Sequence, residues 1–335
     1  MSGVPVSAAD SSATGVREFV DRDGTRVGVP TYHGRPVVKA PAWTWEVPWY
    51  LFAGGAAGAS SVVVVAARLT GHEVLADRAR WIAAAGVAVS PPLLISDLGR
   101  PSRFLNMLRV FKPTSVMSVG SWILAGYSSV ALGATALRRL DRAPGMLWIL
   151  DGKAAALGVG MTVYTGALVA DTSIPVWHEA RRHLPPLFAA SGLAAAGAAA
   201  TLMTPPAEAA PARRAAVLGA AAEVAIDTAM RRHLGPIGEV YEREEAGRFH
   251  RAAKASTVAG AALVALGGGR RRPLALAGSA LLIAGSVCTR WAVYRAGFQS
   301  ARDPVATLGP QQARLVRGDR TRGRLSGRRS GRGRD

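Results

Sequence analysis

Proton-transfer chemistry needs side chains that hold or release a proton near a reacting carbonyl. This chain offers a short set of them beside long apolar runs. In KAPAWTWEVPWYLFAGGAAGAS, Glu46 stands between Trp45 and Trp49 and close to Lys39. An acid there serves either as an ion pair anchoring a helix start or as a proton donor or acceptor for a ligand. In LISDLGRPSRFLNMLRVFKPTS, Asp97, Arg100, Arg103, Arg109 and Lys112 crowd one connection that also holds Pro101 and Pro113. Pro101 blocks helix continuation at Arg100, so a fixed turn is expected from Asp97. Headgroup contacts account for the cations, but they leave Asp97 unexplained. In DGKAAALGVGMTVYTGALVAD, Tyr164 precedes Asp171 by about two helical turns. A phenol at that depth seeks a hydrogen-bond partner, which is either a backbone carbonyl or a ligand carbonyl.

Other chemistries are excluded by counting. Cys288 is the single cysteine, and one thiolate holds neither an iron–sulphur cluster nor a structural zinc. None of the six histidines lies mid-way along an apolar run, where a membrane-buried haem would need them. No haem or iron–sulphur cluster is expected in this chain.

The elements that must position these residues are membrane helices. Hydrophobic residues make up 49% of the 335-residue chain and charged residues 19%. Trp49 to Ala67 and Pro113 to Leu137 contain no charged side chain, and about 20 apolar residues cross a bilayer core. Apolar spans fall near 48–68, 80–96, 115–137, 151–170, 184–203, 213–229, 254–269 and 273–294. Three are marginal: the sixth, which contains Glu223 and ends at Asp227, the short seventh, and the eighth, separated from it only by Gly267–Gly269 and Arg270–Arg272; the last two could instead form a re-entrant hairpin. Gly54 and Gly58, four apart, suit a close helix crossing. Asp151 and Lys153 open the fourth span and can pair. Together with Glu223 and Asp227 they form either structural ion pairs or part of a proton path.

Residues 1–40 read as a polar tail without an apolar signal region, and 299–335 as a basic, disordered tail. Lys and Arg favour the side holding both tails and the Asp97–Lys112 connection, so that side is expected to be cytoplasmic. The net charge of +19 fits anionic lipid headgroups. It does not suggest nucleic acid, because no aromatic residue is interleaved with the basic tail to stack on bases.

The strings WTWEVPWYLFAGGAAGAS, SDLGRPSRFLNMLRVFKPTS, MSVGSW and YTGALVAD resemble the membrane subunits of the NrfD/PsrC family, the polysulfide reductase type. The stretch RWAVYRAGFQSARDPVATLGPQQ is similar to the C-terminal signature of actinobacterial members. The resemblance runs from about Tyr32 to Gln312. It implies an all-α, polytopic membrane protein of about eight transmembrane helices in two four-helix bundles, here at 41–184 and 185–298. The first bundle would carry the quinone site, with menaquinone the expected quinone. The YTG string maps a quinone-bonding tyrosine onto Tyr164. Trp45 and Glu46 stand where the polysulfide-reductase branch is associated with Asn and His, and Asp97 and Arg100 match the DLGRP turn.

The same resemblance implies an iron–sulphur, ferredoxin-like partner subunit and, beyond it, a molybdopterin catalytic subunit, possible as a formate-dehydrogenase-like enzyme. Arg100, Arg103, Lys112 and Asp171 would face that partner. Such a chain has no independent catalytic activity. It exchanges electrons between the partner's cluster and membrane quinone, while protons pass through Tyr164, Glu46 or Asp97. Two other readings are a passive anchor without quinone chemistry and a secondary transporter. Midplane charges and broken helices would favour the transporter, whereas the distinctive residues here gather at one interface.

Overall fold

The computed structural model describes residues 16–20, 26–30, 38–98, 100, 102–268 and 271–303. Val38–Arg302 form one compact, helical unit. Its long helices are α1 (Glu46–Leu69), α2 (Glu73–Asp97), α4 (Val116–Arg139), α5 (Pro144–Ala170), α7 (Leu184–Met203), α8 (Ala210–Leu234), α9 (Glu244–Gly267) and α10 (Arg272–Arg302). Short helices α3 (Ser102–Met107) and α6 (Pro175–Glu179) and a 3₁₀ segment (Gly235–Glu242) fill three connections on one end. Helices suit these sequences because lipid offers no partner to backbone groups, which must bond within the segment. Prolines stand at the starts of α5 and α7, where their missing N–H removes no intrahelical bond. The Ser115 hydroxyl caps α4 by accepting from the Ser118 N–H.

Six of these helices, α1, α2, α4, α5, α7 and α10, are long and apolar enough to span a membrane. Helices α8 and α9 have 25 and 24 residues, which at about 1.5 Å per residue exceeds a bilayer core of about 30 Å. They fall outside the six because α8 carries Glu223 and Asp227, and α9 carries Arg248, Arg251 and Lys254. The chain is therefore a polytopic all-α membrane protein. At the end of the described chain α9 and α10 run full length side by side.

Helices α1, α2, α4 and α5 pack among themselves, as do α7 to α10, and α1 and α5 meet α7. At the α1–α5 crossing, a Cβ added at Gly58 would lie 2.4 Å from the Gly158 carbonyl oxygen, and the reverse substitution would do the same. Backbone therefore touches backbone, as the Gly54/Gly58 spacing predicts. The helices also start earlier than the hydropathy of the sequence suggests, because charged first turns find partners inside the protein. Asp151 is not at a helix end and does not pair with Lys153, which is exposed. Its buried carboxylate accepts from Arg68 (2.6 Å) and from both the Nε and Nη2 of Arg80 (2.9 and 2.7 Å). Asp77 extends this network to Arg138 at 2.9 Å. The ion pairs tie α1, α2, α4 and α5 together at the end opposite Asp97.

The core changes character along the bundle. At the Asp97 end it is aromatic, with Tyr50, Tyr127, Tyr164, Trp177, Phe188 and Tyr241 buried in one cluster. At the other end it is built mainly of alanine. Outside the compact unit, Val16–Val20 (β1) and Arg26–Pro30 (β2) pair antiparallel, Val16 opposite Pro30. The tail expected over 1–40 thus contains a hairpin. Alternating VREFV and RVGVP around an Asp-Gly pair carry that signal. The basic tail beyond Asp303 lies outside the described residues.

Candidate functional site

The N-terminus of α1 and the C-termini of α2 and α5 share one end of the molecule. Tyr164 lies on α5, one turn beyond Met161, which packs on Gly54 of α1. Its ring crosses α4 at Gly120 so closely that a Cβ there would sit 1.7 Å from the phenol Cζ and 2.1 Å from its oxygen. Any side chain at 120 would displace the ring. Tyr164 is 8% exposed, and no hydrogen bond to its hydroxyl is found among the described residues. Buried phenols usually have a partner, and among the described residues this hydroxyl is left without one. Tyr50 of α1 lies within electrostatic range of both Tyr164 and Asp97. Two residues along, Gly166 lets the start of α7 approach; a Cβ there would meet the Leu184 carbonyl at 2.5 Å.

Asp97, the last residue of α2, reaches back to the segment before α1. Its Oδ1 accepts from the Thr44 backbone N–H (3.1 Å) and from the Thr44 hydroxyl (2.7 Å). The same hydroxyl also contacts a Glu46 carboxylate oxygen. One hydroxyl has one hydrogen, so it donates to only one of these acids at a time. Asp97 keeps the backbone donor in either case, which leaves Glu46 the looser carboxylate. The segment is held from the other half of the molecule as well. The Tyr294 hydroxyl of α10 donates to the Trp43 carbonyl (2.8 Å). Trp43 stacks on the buried Trp177 with centroids 5.2 Å apart, and Trp177 donates its indole N–H to the Val293 carbonyl (2.7 Å).

The expected site residues fall into two groups. Tyr164, Asp97 and Glu46 gather at this end at or below the surface, whereas Trp45 points outward and is 58% exposed. Arg100, Lys112 and Asp171 are exposed on the same end. Arg103 lies on α3, with its side chain outside the described residues. Beside them Leu105, Val110 and Phe111 are exposed to 68%, 69% and 55%. The connection between α2 and α4 is therefore an amphipathic surface strip. Sequence reasoning did not single out Thr44, Gly120 or the Trp43–Trp177 stack. Thr44 carried a weak signal, a hydroxyl two residues before an acid at a helix start. Gly120 and Trp177 carried none, because their roles arise only when distant helices meet. Among the described residues no group of three His, Cys, Asp or Glu side chains is placed to hold a metal ion.

A family model described as polysulphide reductase, NrfD, matches residues 35–217, more than half of the 335-residue chain. The match takes in α1 to α7 and the start of α8, with every residue gathered at the site except Tyr294. No curated protein matches the chain.

Proposed function

The chain belongs to the polysulphide reductase NrfD family, whose members are membrane subunits of oxidoreductases, and from that premise we propose that it exchanges electrons between a partner's iron–sulphur cluster and membrane quinone. The observation that carries the reading is Tyr164. It is a buried phenol near one membrane face, braced across Gly120, and its hydroxyl has no hydrogen bond among the described residues. A quinone carbonyl is a ligand acceptor of that kind, and the neighbouring Tyr50 side chain and aromatic core suit a flat ring.

Reduction of a quinone takes two electrons and two protons, and oxidation of the quinol returns them. The electrons belong to the partner. This chain's residues orient and supply protons: Tyr164 donates its O–H to one carbonyl oxygen, and Glu46 exchanges protons with water at the surface. Asp97 competes with Glu46 for the hydrogen of their shared Thr44 hydroxyl. The partner docks on the same end, over Arg100, Arg103, Lys112 and Asp171, and the exposed apolar strip of Leu105, Val110 and Phe111 lies beside them. That end is cytoplasmic in this reading, on the side with the greater share of Lys and Arg. Replacing Tyr164 by Phe removes one hydrogen bond worth about 1 kcal/mol, more if the acceptor gains charge. Quinone-linked turnover should fall by about five- to tenfold with partner assembly intact. Parent-level turnover in the variant would remove Tyr164 from the site. A passive anchor would show no turnover change in any variant of Tyr164 or Glu46.

A further inference from the structure

The half of the molecule built from α7 to α10 carries ionisable groups that the quinone reading does not use. Glu223 on α8 is 4% exposed. Its Oε1 accepts from the Thr289 hydroxyl of α10 at 2.6 Å, while its Oε2 is buried without a partner. Arg290 is 1% exposed and donates Nη2 to the Phe188 carbonyl at 2.9 Å. Among the described residues it makes no ion pair with Glu223. The Tyr241 hydroxyl, on the 3₁₀ segment, is a second buried oxygen without a partner. Both orphaned oxygens belong to side chains that line one cavity of about 30 Å³. That is room for one or two waters; the lining is mostly apolar, and Glu223, Asp227, Tyr241, His250 and Thr289 supply polar atoms. Water there would supply the missing hydrogen bonds of both groups.

The cavity leads one way. Asp227, one helical turn beyond Glu223, and His250 of α9 also line it. The His250 Nε2 lies 3.1 Å from both Asp227 carboxylate oxygens, and its Nδ1 lies 3.4 Å from an Arg231 nitrogen. Arginine can only donate, so Nδ1 accepts and Nε2 carries the hydrogen toward Asp227. Arg231 in turn pairs with the exposed Glu242, and Lys254 stands at the cavity wall. A polar stripe therefore runs from the surface to Glu223. In the other direction it stops. The Ser191 and Ser286 hydroxyls are bonded to each other at 2.9 Å. Beyond them Ala194, Ala198, Ala216, Ala220, Val264 and Leu282 form a closed apolar cluster.

We propose that Glu223 is a proton-binding site, loaded and emptied through this water-holding cavity from the end at which Asp227 and His250 lie. A proton arriving from bulk water passes along the cavity water onto the free Oε2 and leaves by the same route. Thr289 holds the carboxylate in place when it is empty. The groups facing Glu223 are Asp227 on its own helix, His250 and Lys254 on α9, Tyr241 on the 3₁₀ segment, Thr289 and Arg290 on α10, and Ser191 on α7; Arg231 and Glu242 lie beyond His250. The port opens on the same end as Tyr164 and Asp97, as the Tyr294–Trp43 bond indicates. The site stands whether or not quinone binds there.

The test is infrared difference spectroscopy of the purified full-length chain in lipid nanodiscs, titrated between about pH 4 and 10, with the rate of H/D exchange followed. The parent should show a titrating carboxyl C=O band that is absent in Glu223→Gln. Thr289→Val, which removes the donor to Oε1, should shift that band and keep it. Asp227→Asn should slow its deuterium exchange by about tenfold or more. A band that survives Glu223→Gln, a parent without any such band, or exchange equally fast in Asp227→Asn would overturn the proposal. If Glu223→Gln does not fold, the band shift in Thr289→Val and the exchange rate in Asp227→Asn decide the matter alone.

Discussion

At the scale of single residues, one threonine hydroxyl between two carboxylates organises the surface end of the site. Thr44 gives Asp97 both a backbone and a side-chain donor, which fastens the segment before α1 to the end of α2. Thr44→Val removes one hydrogen bond worth about 1 kcal/mol. That segment should then open more often, seen as faster trypsin cleavage after the exposed Lys39 with little change in global melting. Equal cleavage rates would mean that the Tyr294 and Trp177 contacts hold the segment unaided. Asp151 is a different kind of acid. Its carboxylate is 2% exposed and serves the guanidinium groups of Arg68 and Arg80. Breaking a buried pair by removing one partner costs about 3–5 kcal/mol, so Asp151→Ala should lower the thermal midpoint sharply in detergent. A midpoint within error of the parent would show that the two arginines find other partners. The sequence alone made Asp151 visible as a charge opening the fourth span and offered the nearby Lys153 as a partner. Its actual partners lie 83 and 71 positions away, and no local pattern encodes such distances.

At the scale of helices, small residues decide which side chains reach the site. Gly58 and Gly158 let α1 and α5 touch, and Gly120 gives the Tyr164 ring its place. Gly120→Ala puts a methyl carbon 1.7 Å from the ring, well inside contact distance, so Tyr164 must leave its position. Quinone-linked turnover should then fall at least as far as in Tyr164→Phe, while the complex still assembles, because α4 and α5 have other contacts. Turnover unchanged in Gly120→Ala would separate the ring's position from the chemistry. The apolar helices were legible in the hydropathy, since about 20 apolar residues leave few alternatives, although six rather than the expected eight are apolar enough to span a membrane. The starts of α2 and α5 were not, because their charged turns are satisfied by tertiary ion pairs that hydropathy counts as cost. The polar faces of α8 and α9 were legible only as marginal spans. Their partners, Thr289 and Tyr241, come from elements far along the chain.

At the scale of the whole molecule, one end concentrates aromatic side chains, free hydroxyls and exposed cations, and the other is closed by alanine and ion pairs. That polarity suits a protein that receives electrons at one membrane face and needs a sealed opposite face. The motifs pointed to Tyr164, Glu46 and Asp97 as candidates, whereas the contacts of Thr44 with both acids and of Gly120 with the Tyr164 ring became visible only with the helices assembled. Electron exchange between a docked partner and membrane quinone can be measured on complexes purified from native membranes in mild detergent. Quinone-linked turnover per complex would be compared between the parent and Tyr164→Phe. An iron–sulphur partner is expected in stoichiometric amount with both forms, with a five- to tenfold lower rate, about 1 kcal/mol or slightly more, in the variant. Equal rates with the partner bound, or a chain that purifies without any iron–sulphur partner, would contradict that expectation.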